Sequence, residues 1–428
     1  MIAEQPDDLW LERMPIDWKR SRIRNVATLS PNYSQTRPTS DEPCTVVPME
    51  LLSDGGAIDV SNQQLLEDIS TGLPLFEKGD VLFAKITPCM ENGKGAFVRQ
   101  LPTRYAFGST EFHVLRAGNK VDGEFLYYAT FNPIYRAYAA QNMVGAAGQK
   151  RVSSRFLKDT RLFLPPLPEQ ERIAAYLDAS CAAIDAAVTA KHRQLKTLDA
   201  IRKSTIHAIF AAHGGTIKER VKDVVAKITS GVTPDGGSAG YLDSGIPLLR
   251  SQNVHFDGLR LHDVAYISAE THAGMSGSQV KPRDVLLNIT GASIGRCTFV
   301  PDKFCEGNVN QHVCIIRPSP RIDHRFLAAF LSSPMGQDQI LSTFTGASRQ
   351  GLSHSDLGLI SIPFPTISAQ REIVDKIEHH ALRQRRLFGC IEAQINTLTA
   401  YRKSLIHECV TGQRRVTEAD ISRVKAYG

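Results

Sequence analysis

Two stretches of the chain carry apolar residues at alternating steps of three and four. This spacing places side chains along one side of an α-helix and is typical of a heptad seam. Glu169 and Glu171, close after Pro168, favour a helix start there because acidic groups stabilise the first turn. The first seam runs through Ile173, Leu177, Cys181, Ile184, Val188, Leu195 and Leu198. The second seam runs through Ile373, Ile377, Ala381, Phe388, Ile391, Ile395 and Leu398.

Each seam predicts a helix of about 43 residues, a rod roughly 60 Å long. Lys191 and Gln384 each leave a gap in the stripe, and Gly214 and Gly412 are placed to end the helices. One such rod cannot bury its stripe alone, so we expect the two to pair as an antiparallel coiled coil. The alternative is that each helix packs separately on its own globular block. The predicted pairing and partner-binding residues are Leu177, Ile184, Val188, Leu195, Leu198, Ile377, Phe388, Ile391, Ile395 and Leu398.

The two seams belong to an internal repeat with an offset of 200 residues. Residues 198–207 read LDAIRKSTIH and residues 398–407 read LTAYRKSLIH. The register holds upstream without a gap, for example at Gln170 and Gln370. The segments before each helix are only faintly alike. The chain is therefore two copies of one plan, each with a variable block followed by a well-matched block.

The variable blocks, residues 15–165 and 215–363, mix short β-rich runs with turn residues. The clearest strand runs are residues 80–86, 112–115, 284–289 and 313–316. Residues 124–140 and 324–341 each follow a short helical pattern. These patterns predict an α+β fold class: two globular α+β domains in a pseudo-two-fold arrangement, separated by two long antiparallel helices. The expected domains are residues 1–165, 166–213, 214–363 and 364–428.

Composition adds little to this pattern. Of 428 residues, 42% are hydrophobic and 22% charged, which is ordinary for a globular protein. A net charge of +6 permits a nucleic-acid partner without requiring one. We expect no secretory signal and no membrane helix, because no basic start precedes an apolar core and no apolar run approaches about 20 residues. The eight cysteines include no C-x-x-C pair, which favours reduced thiols in a cytoplasm and no zinc ribbon.

Polar residues in the predicted loops are suited to reading base edges. Arg and Lys match guanine, and Asn and Gln match adenine. Residues 145–149 and 346–350 recur at corresponding places as small-residue loops that end in Gln, a shape that allows close approach to DNA. The alternative for each residue is an ordinary solvated loop. The predicted DNA-binding residues are Lys85, Asn92, Lys94, Gln149, Lys150, Arg151, Arg250, Gln252, Asn253, Asn288, Arg296, Asn310, Gln311, Arg349 and Gln350.

A family resemblance follows from these motifs. Residues 164–170 read LPPLPEQ, which resembles the phrase that opens the central conserved region of Type I restriction-modification specificity subunits. Residues 362–365 (IPFP) with Gln370 are a degraded second copy, and the R-K-S-x-I-H ends and the two-repeat layout also fit. The resemblance covers essentially the whole chain. The phrase and the repeat are specific signals, whereas the variable blocks resemble the family only in layout.

The resemblance implies a non-catalytic subunit. Each variable block would read one half of a split double-stranded DNA site. The paired helices would set the spacing and dock two methyltransferase subunits, and restriction/motor subunits would complete the complex. S-adenosylmethionine, ATP and magnesium would belong to those partners, with no cofactor or metal in this chain. Half-sites would fall about one helical turn, ~34 Å, apart, and the site need not be palindromic because the blocks differ.

Two rival functions remain open from the sequence. The first is a methyltransferase, because residues 132–135 (NPIY) differ by one residue from an N-P-P-Y motif; the repeat counterpart, Ser333 and Pro334, lacks the asparagine, and a helix-interrupting turn explains both copies. His207 and His407 recur beside Arg and Lys near helix ends, where capping or packing is favoured over acid-base chemistry. The second rival is a scaffold that binds only protein through its coiled coil.

Overall fold

The structure, a computed structural model, describes residues 15–146, 148–213, 217–234, 237–343 and 351–427. The chain divides into two compact units: unit 1 holds residues 1–191 and 393–428, and unit 2 holds residues 192–392. Each unit thus combines one variable block with part of both long helices. This division cuts across the four expected domains because each long helix buries part of its length in each unit. The four boundaries stay a prediction.

Unit 1 is built on two four-stranded sheets. The strands are β1 (Lys19–Arg22), β2 (Ala27–Leu29), β3 (Pro43–Val47), β4 (Gln63–Leu65), β5 (Leu75–Phe76), β6 (Asp80–Ala84), β7 (Gly95–Phe97), β8 (Ala106–Gly108), β9 (Phe112–Ala117), β10 (Val144–Ala146), β11 (Gln149–Arg151) and β12 (Arg161–Leu164). Strands β2, β9, β6 and β7 form an antiparallel sheet in that order, and β4, β3, β8 and β5 form a second sheet in which β3 and β8 are parallel. In addition, β1 pairs with β12, and β10 with β11.

The central strand β6 explains how unit 1 is layered. All five of its residues are buried. Successive side chains of a strand point to opposite faces. Val81 and Phe83 join the core that faces the helices, whereas Leu82 joins the core between the two sheets. A strand covered on both faces reads as a continuous apolar run, which is why residues 80–84 are recognisable in the sequence.

Three short helices and one long helix complete this part of the chain: α1 (Gly123–Thr130), α2 (Pro133–Gln141), α3 (Ser154–Asp159) and α4 (Leu167–His213). The Asp122 side chain accepts a hydrogen bond from Phe125 N and caps α1, and Asn132 caps α2 by accepting from Ile134 N. The prediction of a single helix over residues 124–140 is therefore wrong in one respect. The structure has two helices there, because Pro133 fits the first position of a helix and would disrupt a helix interior.

Unit 2 repeats the same plan. Its strands are β13 (Lys218–Arg220), β14 (Val225–Ser230), β15 (Ile246–Leu249), β16 (Val254–His255), β17 (Gly258–Leu259), β18 (Ala265–Ile267), β19 (Val285–Asn288), β20 (Cys297–Phe299), β21 (Asn308–Val309), β22 (Val313–Pro318) and β23 (Ser361–Pro363). The order β14, β22, β19, β20 matches that of the antiparallel sheet of unit 1, and β15 pairs in parallel with β21 as β3 does with β8. The loops that join these strands differ in length between the units.

The helices of unit 2 follow the repeat as well: α5 (Val221–Val224), α6 (Ala269–Gly274), α7 (His324–Ser332), α8 (Pro334–Ser342), α9 (His354–Leu359) and the long α10 (Ile367–Val410). The helix predicted over residues 324–341 also splits, at the Ser333 cap of α8. A last helix, α11 (Glu418–Tyr427), lies in unit 1. Gly412, just past the end of α10, has φ of +75°, in keeping with its predicted role as a helix stop. Gly214 lies outside the described residues.

The two long helices pack antiparallel to each other within each unit. In unit 1, Leu177 and Ile184 of α4 share a core cluster with Leu405 and Ile406 of α10. In the same unit Arg402 Nε lies 3.2 Å from Asp185 Oδ1, and Arg415 Nε lies 2.9 Å from Glu169 Oε1. The later residue of α4, Asp185, therefore meets Arg402 of α10, and the earlier residue, Glu169, meets Arg415 just after α10, as expected for antiparallel helices.

In unit 2 the later part of α4 meets the early part of α10. Phe210 and Ile206 of α4 share a core cluster with Ile373, Val374 and Ile377 of α10. The predicted fold class, α+β with two long antiparallel helices, is confirmed.

By length and composition alone, one helix, residues 167–212, could cross a membrane, with an 18-residue window of mean hydropathy 1.3. The apolar residues near its start are packed inside unit 1, although only 39% of the apolar window is buried. Ile173, Leu177 and Cys181 are almost fully buried against the other elements of unit 1. We therefore interpret it as a packed helix of the folded unit.

Candidate nucleic-acid interface

In unit 1, the loop after β6 and the β10–β11 hairpin are held together as one exposed ridge. Thr87 N donates to Lys150 O at 3.0 Å, and Thr87 Oγ accepts from Lys150 N at 2.8 Å. Val152 N donates to Lys85 O at 2.8 Å. The structure thereby brings together four of the predicted residues: Lys85, Gln149, Lys150 and Arg151.

The backbone of the β10–β11 hairpin requires a glycine at one position. Gly145 has φ of +145°, and a Cβ at this position would lie 2.3 Å from Gln149 O, so only glycine fits. Gln149 and Lys150 are exposed. The hairpin therefore presents an exposed amide and an exposed ammonium group.

Charges in this ridge are partly paired. Arg151 donates to both carboxylate oxygens of Glu111, at 2.8 and 2.9 Å. This contact holds the pKa of Glu111 below its usual range, with a smaller contribution from Lys85, and raises the pKa of Arg151. Arg151 is therefore oriented by its own domain, whereas Lys150 projects from the hairpin beside it.

Asn92 and Lys94 lie further along the same loop. Asn92 is exposed, but Lys94 Nζ donates to Met49 O at 3.0 Å and so braces the loop against a neighbouring turn. The loop between β6 and β7 thus has two parts: its start contributes Lys85 to the ridge, and its end is held in place by Lys94.

In unit 2, Arg250 and Gln252 lie around the carbonyl group of Asp263. Gln252 Nε2 donates to Asp263 Oδ2 at 2.7 Å, and an Arg250 guanidinium nitrogen lies 3.3 Å from Asp263 O. Gln252 is exposed and Arg250 is half-buried beside the Tyr241 ring. These two predicted residues share one surface of the domain.

Three asparagines that the sequence predicted to bind DNA need correction, because the structure buries each of them and bonds it inside unit 2. Asn253 accepts from Arg250 N and donates to Arg260 O; it is 1% exposed. Asn288 is fully buried and donates to Ser251 O at 2.8 Å. Asn310 is 7% exposed and accepts from His312 N. These amides hold their own loops and expose almost no surface.

Gln311 is the exposed neighbour of those buried groups. It accepts a hydrogen bond from Thr233, and its Nε2 lies 3.1 Å from Nε2 of His312, whose Nδ1 contacts Thr290. A chain of side-chain hydrogen bonds therefore fixes one exposed amide. Arg349 and Gln350 lie outside the described residues.

Arg296 is bonded through its backbone to one other predicted residue of unit 2, because Asn288 N donates to Arg296 O at 2.8 Å. It lines a cleft between the domain and the long helices, together with Ile206 and Phe388. It does not share the surface of Arg250 and Gln252.

The predicted seam residues differ in depth. Leu177 is fully buried and Ile184 is 8% exposed, while Val188 and Leu398 pack at the margin of the unit 1 core. Ile377 packs at the margin of the unit 2 core, whereas its repeat counterpart Leu177 is fully buried in unit 1. The remaining seam residues are half-buried: Leu195, Leu198, Phe388, Ile391 and Ile395.

Gln170 and Gln370 are positioning residues that the sequence marks only as repeat identities. Gln170 Oε1 accepts from Asp122 N at 2.8 Å, and its Nε2 donates to Pro165 O at 2.8 Å and Lys120 O at 3.2 Å. Both glutamines are almost fully buried. Each ties the start of a long helix to the cap of the short helix of its own domain.

Gln370 makes the same contacts in unit 2. Its Oε1 accepts from Asp323 N at 2.8 Å, and its Nε2 contacts Pro365 O and Arg321 O at 3.0 and 3.4 Å. The sequence did contain a signal for this role. Glutamine recurs at an offset of 200 residues even though the rest of the motif at residues 362–370 is poorly matched.

The residues behind the rival functions have structural partners. The buried Asn132 side chain caps α2, and its amide lies 3.2 Å from His407 Nδ1. Desolvation lowers the pKa of His407, which also contacts Gln413. His207 is exposed. In the described part of the chain, no group of three His, Cys, Asp or Glu side chains is arranged to hold a metal ion.

The geometry thus defines a two-copy scaffold in which each copy carries its own surface of polar loops. Residues 15–196 and 263–396 match the family model described as the Type I restriction modification DNA specificity domain. The chain belongs to this family.

Individual relatives agree with the family model. The chain is 31% identical over 164 residues to the specificity subunit of the Type I restriction enzyme EcoAI of Escherichia coli, covering 37% of this chain and 27% of the relative. It is 29% identical over 318 residues to the EcoBI specificity subunit of Escherichia coli, covering 66% and 63%. The matches span less than two thirds of either relative.

A solved structure of a Type I R-M system, described as addressing complex assembly and conformational transition, contains a chain of the same fold. The TM-score is 0.76 at 19% identity, over 93% of this chain and 98% of that chain. This likeness concerns the fold alone.

Proposed function

We propose that this chain is the sequence-recognition subunit of a Type I restriction-modification complex, and that each unit reads one half of a bipartite, asymmetric DNA site. The observation that carries the proposal is the repeat itself. One framework of sheets, short helices and paired long helices occurs twice, with different polar loops on each copy. A chain of this kind imitates a symmetric dimer while recognising two unlike half-sites.

For unit 1, the proposed reader is the ridge of Lys85, Gln149, Lys150 and Arg151. An amide such as Gln149 can bond adenine in a bidentate way, and a basic side chain suits guanine or a phosphate. The hydrogen bonds between Thr87 and Lys150 support this role, because a loop that is already held in place loses less conformational freedom on binding. Asn92 remains a candidate at the edge of this surface.

For unit 2, the proposed readers are the exposed Gln252 and Gln311 and the half-buried Arg250, each of which makes hydrogen bonds that orient its side chain. Arg349 and Gln350 remain candidates from the sequence. The two units thus offer different donor sets, which supports an asymmetric site.

The long helices are proposed to set the spacer and to dock two methyltransferase subunits, which restriction/motor subunits join. The chain is proposed to have no catalysis of its own. S-adenosylmethionine, ATP and magnesium would be held by the partners, and the complex would act in the cytoplasm, where its DNA is. Asn132 and His407 support this division, because both are committed to contacts within unit 1.

The test is a methylation assay with the purified chain, the methyltransferase subunit encoded with it, S-adenosylmethionine and a randomised duplex library. We expect methylation at one split motif only when this chain is present. Methyl transfer by the chain alone would establish the enzyme instead. A complex that forms without any sequence preference would establish the scaffold.

A further inference from the structure

The two units differ most at the short helix that packs toward the long helices. After the equivalent caps Asp122 and Asp323, the first unit has aromatic residues where the second has small ones. The aromatic residues are Tyr127, Tyr128 and Phe131, and their counterparts are Ala328, Ala329 and Ser332.

In unit 1 the aromatic rings fill the space beside the helices. Tyr127 and Tyr128 are 7% and 3% exposed. The Tyr127 ring lies 4.3 Å from that of Phe131 and 5.0 Å from that of Tyr128, centre to centre. They join the core that contains Leu177 and Ile184 of the seam.

In unit 2 the corresponding small residues line an open cleft of about 1610 Å³. The other walls combine apolar residues of the helices and of the sheet with charged and polar side chains; the apolar ones include Ile206, Ile377, Phe388 and Phe299. Pockets for small ligands usually measure about 300–1,000 Å³. The size of the cleft therefore favours a segment of a protein partner over a small molecule.

Charge distinguishes the two places as well. In unit 1, Arg402 faces Asp185 at 3.2 Å. At an offset of 200 residues, Arg202 lines the cleft of unit 2, and Arg385 replaces the aspartate. Arg202 pairs instead with Asp199 on its own helix, and Arg385 has no ion pair within the described residues. The rim also carries other carboxylates, Glu378 paired with Arg325 among them.

We propose that the cleft of unit 2 is a docking site for a segment of the methyltransferase subunit that inserts aromatic side chains and places a carboxylate near Arg385. This inference rests on the proposed function for the identity of the partner. The chemistry of the occupant follows from unit 1, where aromatic rings and Asp185 supply the same groups from within the chain. Unit 2 packs its own rings, Phe210, Phe326 and Phe330, in its core, but the positions that line the cleft hold only Ala328, Ala329 and Ser332, so rings at those positions would have to come from a partner.

The test fills the cleft from within, using the triple variant Ala328→Tyr, Ala329→Tyr, Ser332→Phe. We expect at least about a tenfold loss of affinity for the methyltransferase subunit at one of its sites, as for the loss of a hot spot, measured by titration calorimetry and by stoichiometry in native mass spectrometry. The control adds tyrosines at exposed positions of α6, Ala269→Tyr and Ala273→Tyr, and should bind as the parent does. Equal affinity of the filled variant and the control overturns the proposal.

A second variant decides the matter if the triple variant does not fold. Arg385→Asp places on the exposed helix face the residue that unit 1 carries, and we expect it to weaken the same binding step without changing the melting temperature. Parent-like binding by Arg385→Asp, together with an unfolded or normally binding triple variant, overturns the proposal. Failure of the unaltered chain to bind any methyltransferase subunit would instead reject the proposed function.

Discussion

The two units of this protein share a framework and differ in what they put on it. Both have the same strand order in the antiparallel sheet, the same capped short helices and the same buried glutamine at the start of a long helix. They differ in the polar loops and in the filling beside the helices. The comparison teaches that the invariant contacts fix where a loop is held, and the variable residues determine what that loop can bind.

The largest effect is expected where the framework is buried. Ile184→Asp places a carboxylate in the apolar cluster with Leu405 and Ile406, and an uncompensated buried charge costs about 3–5 kcal/mol. Urea unfolding should show a lower free energy of unfolding, while Ala182→Asp, exposed on the same helix, should not. Unchanged cooperative unfolding of Ile184→Asp would show that the seam does not hold unit 1 together.

The same change is expected to cost less at Val188, Ile391 or Ile395, because these side chains are only half-buried. A graded series would therefore map where the pairing is tightest. Equal losses at all four positions would contradict the observed difference in depth.

The framework glutamines offer a matched pair. Gln170→Ala and Gln370→Ala each leave a buried N–H and two carbonyl groups without a partner, at about 1–3 kcal/mol for an unsatisfied group. Because the contacts are the same, we expect equal losses of stability in the two variants. Gln194→Ala and Gln394→Ala, which are repeat identities at exposed positions, are the controls. A large difference between the first two would break the equivalence of the units.

The loops should behave in the opposite way, with effects confined to one half-site. Gln149→Ala and Lys150→Ala are expected to reduce discrimination at the first half-site alone, by about 1–3 kcal/mol per bidentate base contact. Arg349→Ala and Gln350→Ala are expected to act only on the second. The measurement is binding of the assembled complex to duplexes altered in one half-site at a time. Loss of specificity at both half-sites from one variant would reject the division of labour.

The smallest effect concerns pH. Burial lowers the pKa of His113, whose Nε2 contacts Val152 O at 2.8 Å, below its ordinary 6.5. As the pH falls below 6.5, the unfolded chain binds a proton that the folded chain does not, so the free energy of unfolding falls until the lower folded pKa is reached. A tenfold difference in proton affinity between the folded and unfolded chains corresponds to about 1.4 kcal/mol.

His113→Gln should therefore make the free energy of unfolding fall less steeply with decreasing pH, because glutamine binds no proton in either state. The measurement is a set of urea unfolding curves between about pH 7 and about pH 5. An unaltered slope would contradict the assignment to His113. His324 and His407, whose pKa values burial also lowers, supply the remaining dependence.

The long-range periodicity of the sequence predicted the parts of the fold that repeat. Heptad spacing located both long helices, and the continuous apolar runs located β6 and β19 because strands buried on both faces contain little else. Local chemistry at Pro133 and Pro334 was available to split the short helices, but the apolar pattern runs through both prolines.

The candidate site was harder to predict, because an asparagine or glutamine in a loop can either bond its own backbone or remain exposed to a ligand. Asn253 and Asn288 have the side chain expected of an adenine reader, yet they hold their own backbone. Burial decides between these roles, and burial depends on residues far away in the chain. Gln149 and Gln252 are exposed, and nothing in their immediate sequence distinguishes them from the buried amides.

The discontinuity of unit 1 has a consequence for biosynthesis. Arg415 reaches Asp17 across 398 residues with contacts of 2.8 and 3.0 Å, whereas all of unit 2 is one uninterrupted stretch. The ribosome adds about 5–20 residues per second. The chain can therefore complete unit 2 before unit 1, because unit 1 needs the last residues to be synthesised. During that interval the apolar stripe at the start of α4 lacks its partner, and the nascent N-terminal domain is the part most exposed to chaperones and to misassembly.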